Sequence, residues 1–219
     1  MRISRDLSLR VLLCLSLLSA LPGAAAAVEV YGGWTRSDVG LHAKGEGLYL
    51  GVGNAVPTKT PILDVMYSLE YVQKVGSQPT AFADIIGGPE IYEDAKVTLH
   101  YLQPSIFVGA KVPALPVIPR VFGGLSIGLK VKESWDEFPG ITASEYGYKN
   151  TDIVGHLGFS LGLGPVAAQV RYSFGFTGQL LRDNRQPVGL KADDPLAGVK
   201  DPEVGAKIST LHLGAAFGF

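Results

Sequence analysis

Ile208-Ser209-Thr210-Leu211-His212-Leu213-Gly214-Ala215-Ala216-Phe217-Gly218-Phe219 closes the chain. Phe217, Ala215, Leu213 and Leu211 fall on one parity, and Gly218, Ala216, Gly214 and His212 on the other. A repeat of two belongs to a β-strand, whose successive side chains point to opposite faces. An alternating strand that ends on phenylalanine is the kind that closes a membrane barrel.

Working outward, seven more segments alternate or carry a strand-like apolar run: Val28 to Arg36, Glu46 to Val56, Ile62 to Val75, Ala95 to Val112, Val117 to Glu133, Thr151 to Leu163 and Val166 to Leu180. Most reach the ~9–11 residues that a tilted strand needs to cross a bilayer. The connections alternate too. Ser37 to Gly45, Gly76 to Asp94, Ser134 to Asn150 and Leu181 to Lys207 are long and polar, whereas Pro57 to Pro61, Pro113 to Pro116 and Gly164 to Pro165 are short. Long loops at one end and tight turns at the other are the asymmetry of a bacterial outer-membrane barrel, with the turns in the periplasm.

Alternation alone does not say which face meets water. In the sixth segment Ile153, Leu157, Phe159, Leu161 and Leu163 oppose Val154, His156, Gly158, Ser160 and Gly162. In the fifth, Val121, Leu125, Ile127 and Leu129 oppose Arg120, Phe122, Gly124, Ser126 and Gly128. A solvated strand face would carry lysine, glutamate and threonine. Here the second face is mostly tiny, as the narrow interior of an eight-stranded barrel requires. The apolar face is therefore expected to meet lipid. Tyr67, Tyr71, Tyr172, Phe174 and Phe176 share its parity, where aromatic girdles form, and Phe217 and Phe219 would mark the periplasmic rim.

Composition agrees. The 28 glycines disfavour a helical protein. Met1 to Ala27 reads as a cleavable secretory signal: Arg2, Arg5 and Arg10 form a basic start, Val11 to Leu21 an apolar run too short to span as a helix, and Ala24 to Ala27 the cleavage site. Residues 28–219 are then one outer-membrane barrel domain. Cys14, the only cysteine, lies in the signal between Leu13 and Leu15, a poor lipidation context, so the mature chain has no thiol chemistry. Without Arg2, Arg5, Arg10 and Asp6 there remain 16 basic and 19 acidic residues, a balance that points away from nucleic acid.

Three stretches carry a family resemblance. Tyr101-Leu102-Gln103, then Pro119-Arg120-Val121-Phe122-Gly123-Gly124-Leu125-Ser126-Ile127-Gly128, then Arg171-Tyr172-Ser173-Phe174-Gly175-Phe176-Thr177 resemble, in order, the strands of the PorT-like family of outer-membrane β-barrel proteins. Gln103 stands where that family has Glu, Pro104 comes one position before its proline, and Leu125 replaces its Pro. The resemblance implies an eight-stranded barrel in the envelope of a two-membraned bacterium. It implies no shared reaction, although one branch is associated with protein secretion.

On the inferred inner face lie Asp64, Glu70, Gln103, Lys111, Arg120, Lys130, His156, Gln169, Arg171 and His212. A charge in a narrow lumen must find a partner, and Glu70 with Arg171 or Arg120 is one expectation. The network is expected to plug the barrel rather than form a passage. The four histidines lack metal-site spacing, and Gly45-Glu46-Gly47 and Gly51-Val52-Gly53 precede no helix, so neither a metal nor a nucleotide cofactor is expected. Ser160 and His156 share a face, which keeps a lipid-acting envelope enzyme as an alternative. A soluble periplasmic lipid-binding barrel is another, and it would need an apolar cavity inside a charged exterior.

The expectation is thus an all-β, eight-stranded, antiparallel up-and-down transmembrane barrel, non-enzymatic, in the outer membrane of a Gram-negative bacterium. Its expected contacts are outer-membrane lipids, the barrel-assembly machinery through Phe219, and a protein partner at loops that carry Trp135 and Tyr146 to Tyr148.

Overall fold

The computed structural model describes residues 27–39, 43–82, 91–112, 116–136, 146–178, 180–182 and 207–218. Residues 1–26, which hold all but the last residue of the expected signal, residues 83–90 and 183–206, and Phe219 lie outside them. The elements in chain order are β1 (Ala27–Asp38), β2 (Ala43–Pro57), β3 (Leu63–Phe82), β4 (Ile91–Lys111), β5 (Ile118–Asp136), β6 (Tyr146–Tyr148), β7 (Thr151–Leu163), β8 (Val166–Gly175), β9 (Leu180–Arg182) and β10 (Ser209–Gly218).

Eight of these close into an antiparallel barrel, each strand beside its sequence neighbours, with β10 paired to β1 from Glu29↔Gly218 to Asp38↔Ser209. Closure leaves no edge strand, and in a bilayer an unpaired backbone group has no water to bond. The connections β2 to β3, β4 to β5 and β7 to β8 are the short ones, at one end. The last is the Gly164–Pro165 turn, where Gly164 takes φ 59°, a left-handed conformation that glycine adopts without a Cβ penalty.

Three details depart from the sequence expectation. Much of Gly76 to Asp94 is not loop: β3 and β4 continue to pair as far as Phe82↔Ile91. Ser134 to Asn150 and Leu181 to Lys207 each contribute a short strand, and β6 and β9 form a two-stranded sheet of their own, from Tyr146↔Arg182 to Tyr148↔Leu180. The β4–β5 ladder shifts register between His100 and Tyr101 and passes over Gln103 and Pro104. Pro104 has no N–H to give to that ladder.

Parity holds around the wall and is inverted relative to a soluble protein. The outward faces expose large apolar groups: Trp34 is 69% exposed, Leu157 61% and Leu163 65%, with Val121, Leu125, Ile127 and Leu213 alongside. On β7 these run from Ile153 to Leu163. Ten steps of about 3.4 Å at a tilt near 40° give a band about 25 Å tall, the hydrocarbon height a membrane barrel presents. A soluble monomer does not expose an apolar belt of this extent. The architecture is that of an outer-membrane β-barrel.

The inward faces interleave small and large groups. Gly158 shows why: a Cβ there would stand 2.3 Å from the ring of Phe122, which reaches across from β5. Met66, Phe107 and Phe122 form one buried apolar cluster, and Phe107 meets Phe122 edge-on with ring centroids 5.7 Å apart. A second cluster joins Val39, Val97, Leu99, Tyr101, Tyr148 and Ile208 at the loop end. Tyr148 comes from β6, so the small sheet delivers an aromatic plug to that mouth.

Candidate functional site

The chemistry-bearing residues among those described are concentrated inside the barrel, in levels from the turn end to the loop end. At the turn end a cavity of about 420 Å³ is lined by Glu29, Asp64, Lys111, Arg120 and Ser160. Arg120 directs Nε and Nη2 at one oxygen of Asp64, at 3.1 and 2.6 Å. Lys111 Nζ stands 3.9 Å from the other oxygen and is more exposed.

At the waist, Glu70 and Arg171 are paired through two bonds of 2.6 Å, Nη1 to Oε1 and Nη2 to Oε2. Both side chains are all but excluded from solvent. Tyr31 donates to Glu70 Oε1 at 2.7 Å, and the guanidinium lies near the rings of Tyr49 and Phe107. Tyr49 in turn accepts from the Gln169 amide at 2.9 Å. Fork geometry, a third donor and aromatic faces are what a buried arginine–carboxylate pair needs to offset desolvation.

From Arg171 a chain of hydrogen bonds runs around the wall. Arg171 Nη2 lies 3.2 Å from His212 Nδ1, His212 Nε2 is 2.9 Å from Ser173 Oγ, Ser173 Oγ is 2.7 Å from His156 Nδ1, and His156 Nε2 is 2.8 Å from Ser126 Oγ. A guanidinium can only donate. His212 Nδ1 must therefore accept and its Nε2–H donates to Ser173, while a neutral His156 donates to one of Ser173 and Ser126 and accepts from the other. The arginine fixes the tautomer of the histidine it touches.

Above the waist Lys74 bonds Asp152 at 3.1 Å and lies over the Tyr101 ring. Asp152 also accepts from Thr177 at 3.4 Å. At the loop end Lys130 pairs with Glu133 at 2.5 Å and donates to the Tyr148 carbonyl. The Tyr148 hydroxyl donates to the Val39 carbonyl at 3.0 Å, and burial pushes this phenol well above its ordinary pKa, so it stays a donor. These bonds fasten β6 to the barrel.

All ten inferred interior residues face inward, but they divide among levels. Asp64, Arg120 and Lys111 sit at the turn mouth, with Glu70, Arg171, Gln169, His212, His156 and the buried Gln103 at or near the waist and Lys130 at the loop end. Of the two arginines considered for Glu70, Arg171 is its partner, and Arg120 serves Asp64. The sequence reading omitted Lys74, Asp152, Glu133, Tyr31 and Tyr49. Lys74 shares the parity of Asp64 and Glu70, and Asp152 that of His156, so parity could have found both.

The acyl-transfer arrangement is not assembled. Both ring nitrogens of His156 are taken by Ser126 and Ser173, while Ser160 lines the turn-end cavity. Among the described residues no group of three His, Cys, Asp or Glu could hold a metal. A soluble carrier is contradicted by the distribution of polarity: the greasy face is outside and the charged groups are within.

No known family profile matches the chain, and no curated protein matches it. Among solved structures it is similar to Neisserial surface protein A (11% identity, 89% of this chain and 97% of that chain, TM-score 0.46). It is also similar to the outer-membrane protein OprG of Pseudomonas aeruginosa (12% identity, 89% and 96%, TM-score 0.48). At this distance the likeness carries no argument, and the barrel assignment rests on the chain's own strand ladder and outward apolar belt.

Proposed function

We propose that the chain is a non-enzymatic integral protein of a Gram-negative outer membrane, a closed barrel of the PorT-like kind whose loop side engages a partner or supports envelope integrity or secretion. The observation that carries this reading is the occluded interior beneath an apolar exterior. The Glu70–Arg171 pair fills the waist, and the cluster around Tyr148 fills the loop mouth. A solute would have to separate the first and displace the second. In this reading the inward network is a structural plug. Tyr101, Phe122 and Arg171, one from each of the three motifs, project into it. The assembly signal is β10 together with the Phe219 that follows it in the sequence, and outer-membrane lipids surround the wall.

Two measurements test it. The protein should sediment with outer membranes and migrate on gels differently before and after boiling. Purified and inserted into planar bilayers, it should hold a closed baseline. Steady unitary conductance steps would overturn the plug, and recovery as a freely soluble protein would overturn the membrane assignment.

A further inference from the structure

The lumen is packed at its waist and hollow at its turn end, and the hollow has a cause in the sequence. Strands β2, β1, β10, β8 and β7 stand side by side in the ring. At the turn mouth they send in small groups, Ala55 from β2, Ala216 from β10, Ala167 from β8 and Ser160 from β7, and only β1 contributes a large one, Glu29. At Gly162 and Gly218, which also line the cavity, an added Cβ would find nothing nearer than 3.7 Å, whereas at Gly158 it would strike Phe122. These glycines border space that no side chain fills.

The other three strands carry the remaining charges, Asp64 on β3, Lys111 on β4 and Arg120 on β5. Asp64 is bonded by Arg120 and, at 3.9 Å, approached by Lys111, so the three sum to one positive charge. Glu29 stands apart on β1, and among the described residues none gives it a hydrogen bond or an ion pair. The mouth thus has a positive side and a negative side. The hollow between them is about 420 Å³, inside the range of about 300–1,000 Å³ that small-ligand pockets occupy.

We propose that this cavity binds a small zwitterion whose two charges are set apart, of the class of a di- or tripeptide. Its carboxylate end lies between Lys111 and Arg120, its ammonium end against Glu29, and its side chains against the alanine wall. A simple anion would meet Glu29 unpaired, and a simple cation would face Lys111. A single amino acid carries both charges on one carbon and does not bridge β1 and β4, which stand three places apart in the ring. The site lies at the end of the barrel opposite the loops and is independent of any partner bound there.

Calorimetric titration of the purified barrel in an uncharged detergent tests this, with trialanine, N-acetyl-trialanine, trialanine amide and alanine as probes. One trialanine should bind per barrel, and each blocked form should bind about tenfold more weakly, the scale of one charged hydrogen bond. Glu29→Gln should weaken trialanine by the same factor and leave N-acetyl-trialanine unchanged. Lys111→Gln should weaken trialanine and leave the amide unchanged. Ala167→Leu, which fills the hollow, should abolish binding of all of them, and heat-modifiable migration on gels verifies that each variant forms the barrel. No heat of binding, trialanine bound no more tightly than its acetylated form, or a Glu29→Gln barrel that keeps the parent's affinity would overturn the site. Alanine bound as tightly as trialanine would assign the cavity to a single amino acid, against the proposal. The blocked peptides act on the parent chain, so the proposal can fail on them alone.

Discussion

Two arginine–carboxylate pairs stand in the same lumen and differ in what surrounds them. Arg171 and Glu70 at the waist are fork to fork, 3% and 0% exposed, with Tyr31 and two aromatic rings beside them. Arg120 and Asp64 at the turn mouth are 14% and 8% exposed, joined through one carboxylate oxygen, and open on a cavity shared with Lys111 and Glu29. The same two charges are therefore held by protein alone in one place and by protein and solvent in the other. Water at the mouth can replace a lost partner. At the waist nothing can.

The comparison breaks most sharply at Arg171. Arg171→Met leaves Glu70 uncompensated in the interior and should cost about 3–5 kcal/mol of unfolding free energy. The cost is read from denaturant titration of the barrel refolded into lipid vesicles. Removing both charges, as Arg171→Met with Glu70→Leu, should recover most of the loss. A single variant as stable as the parent would mean that water reaches the waist. Lys74→Met comes next. Asp152 would lose its buried cation, and about 2–3 kcal/mol should be lost in the same titration. Smallest is Arg120→Gln, where Lys111 remains beside Asp64 and the cavity admits solvent. About 1 kcal/mol is expected, and it should shrink as salt is raised, while the Arg171 effect should not.

The strands were legible because each obeys a period of two over many residues, and the tiny inward face of Gly158, Ser160 and Gly162 betrayed which side was crowded. Those signals are local. What escaped depends on how strands are staggered around the closed sheet. Glu70 and Arg171 are 101 residues apart, and only the stagger decides that Arg171, not Arg120, arrives opposite Glu70. The register shift between His100 and Tyr101 lets Lys130 and Glu133 both face inward, three residues apart, against the parity rule that had located the others. The β6–β9 pair was hidden for another reason. Strands of three residues, with one partner from each of two long connections, leave no periodicity to read. The buried chain of Arg171, His212, Ser173, His156 and Ser126 was half visible, since parity placed Arg171, His212, His156 and Ser126 inside but gave neither Ser173 nor their order.

One consequence follows from the length of β3 and β4. Their ladder continues for seven more rungs between Val75↔Thr98 and Phe82↔Ile91, a stalk of roughly 24 Å at about 3.4 Å per residue. Main-chain bonds carry that rise, so it works as a ruler. Deleting paired residues from its two sides would lower whatever the hairpin presents by a known increment and leave the lipid-embedded staves untouched. Reach above the bilayer and cohesion within it are thus separate quantities in this chain, open to independent adjustment by selection or by design.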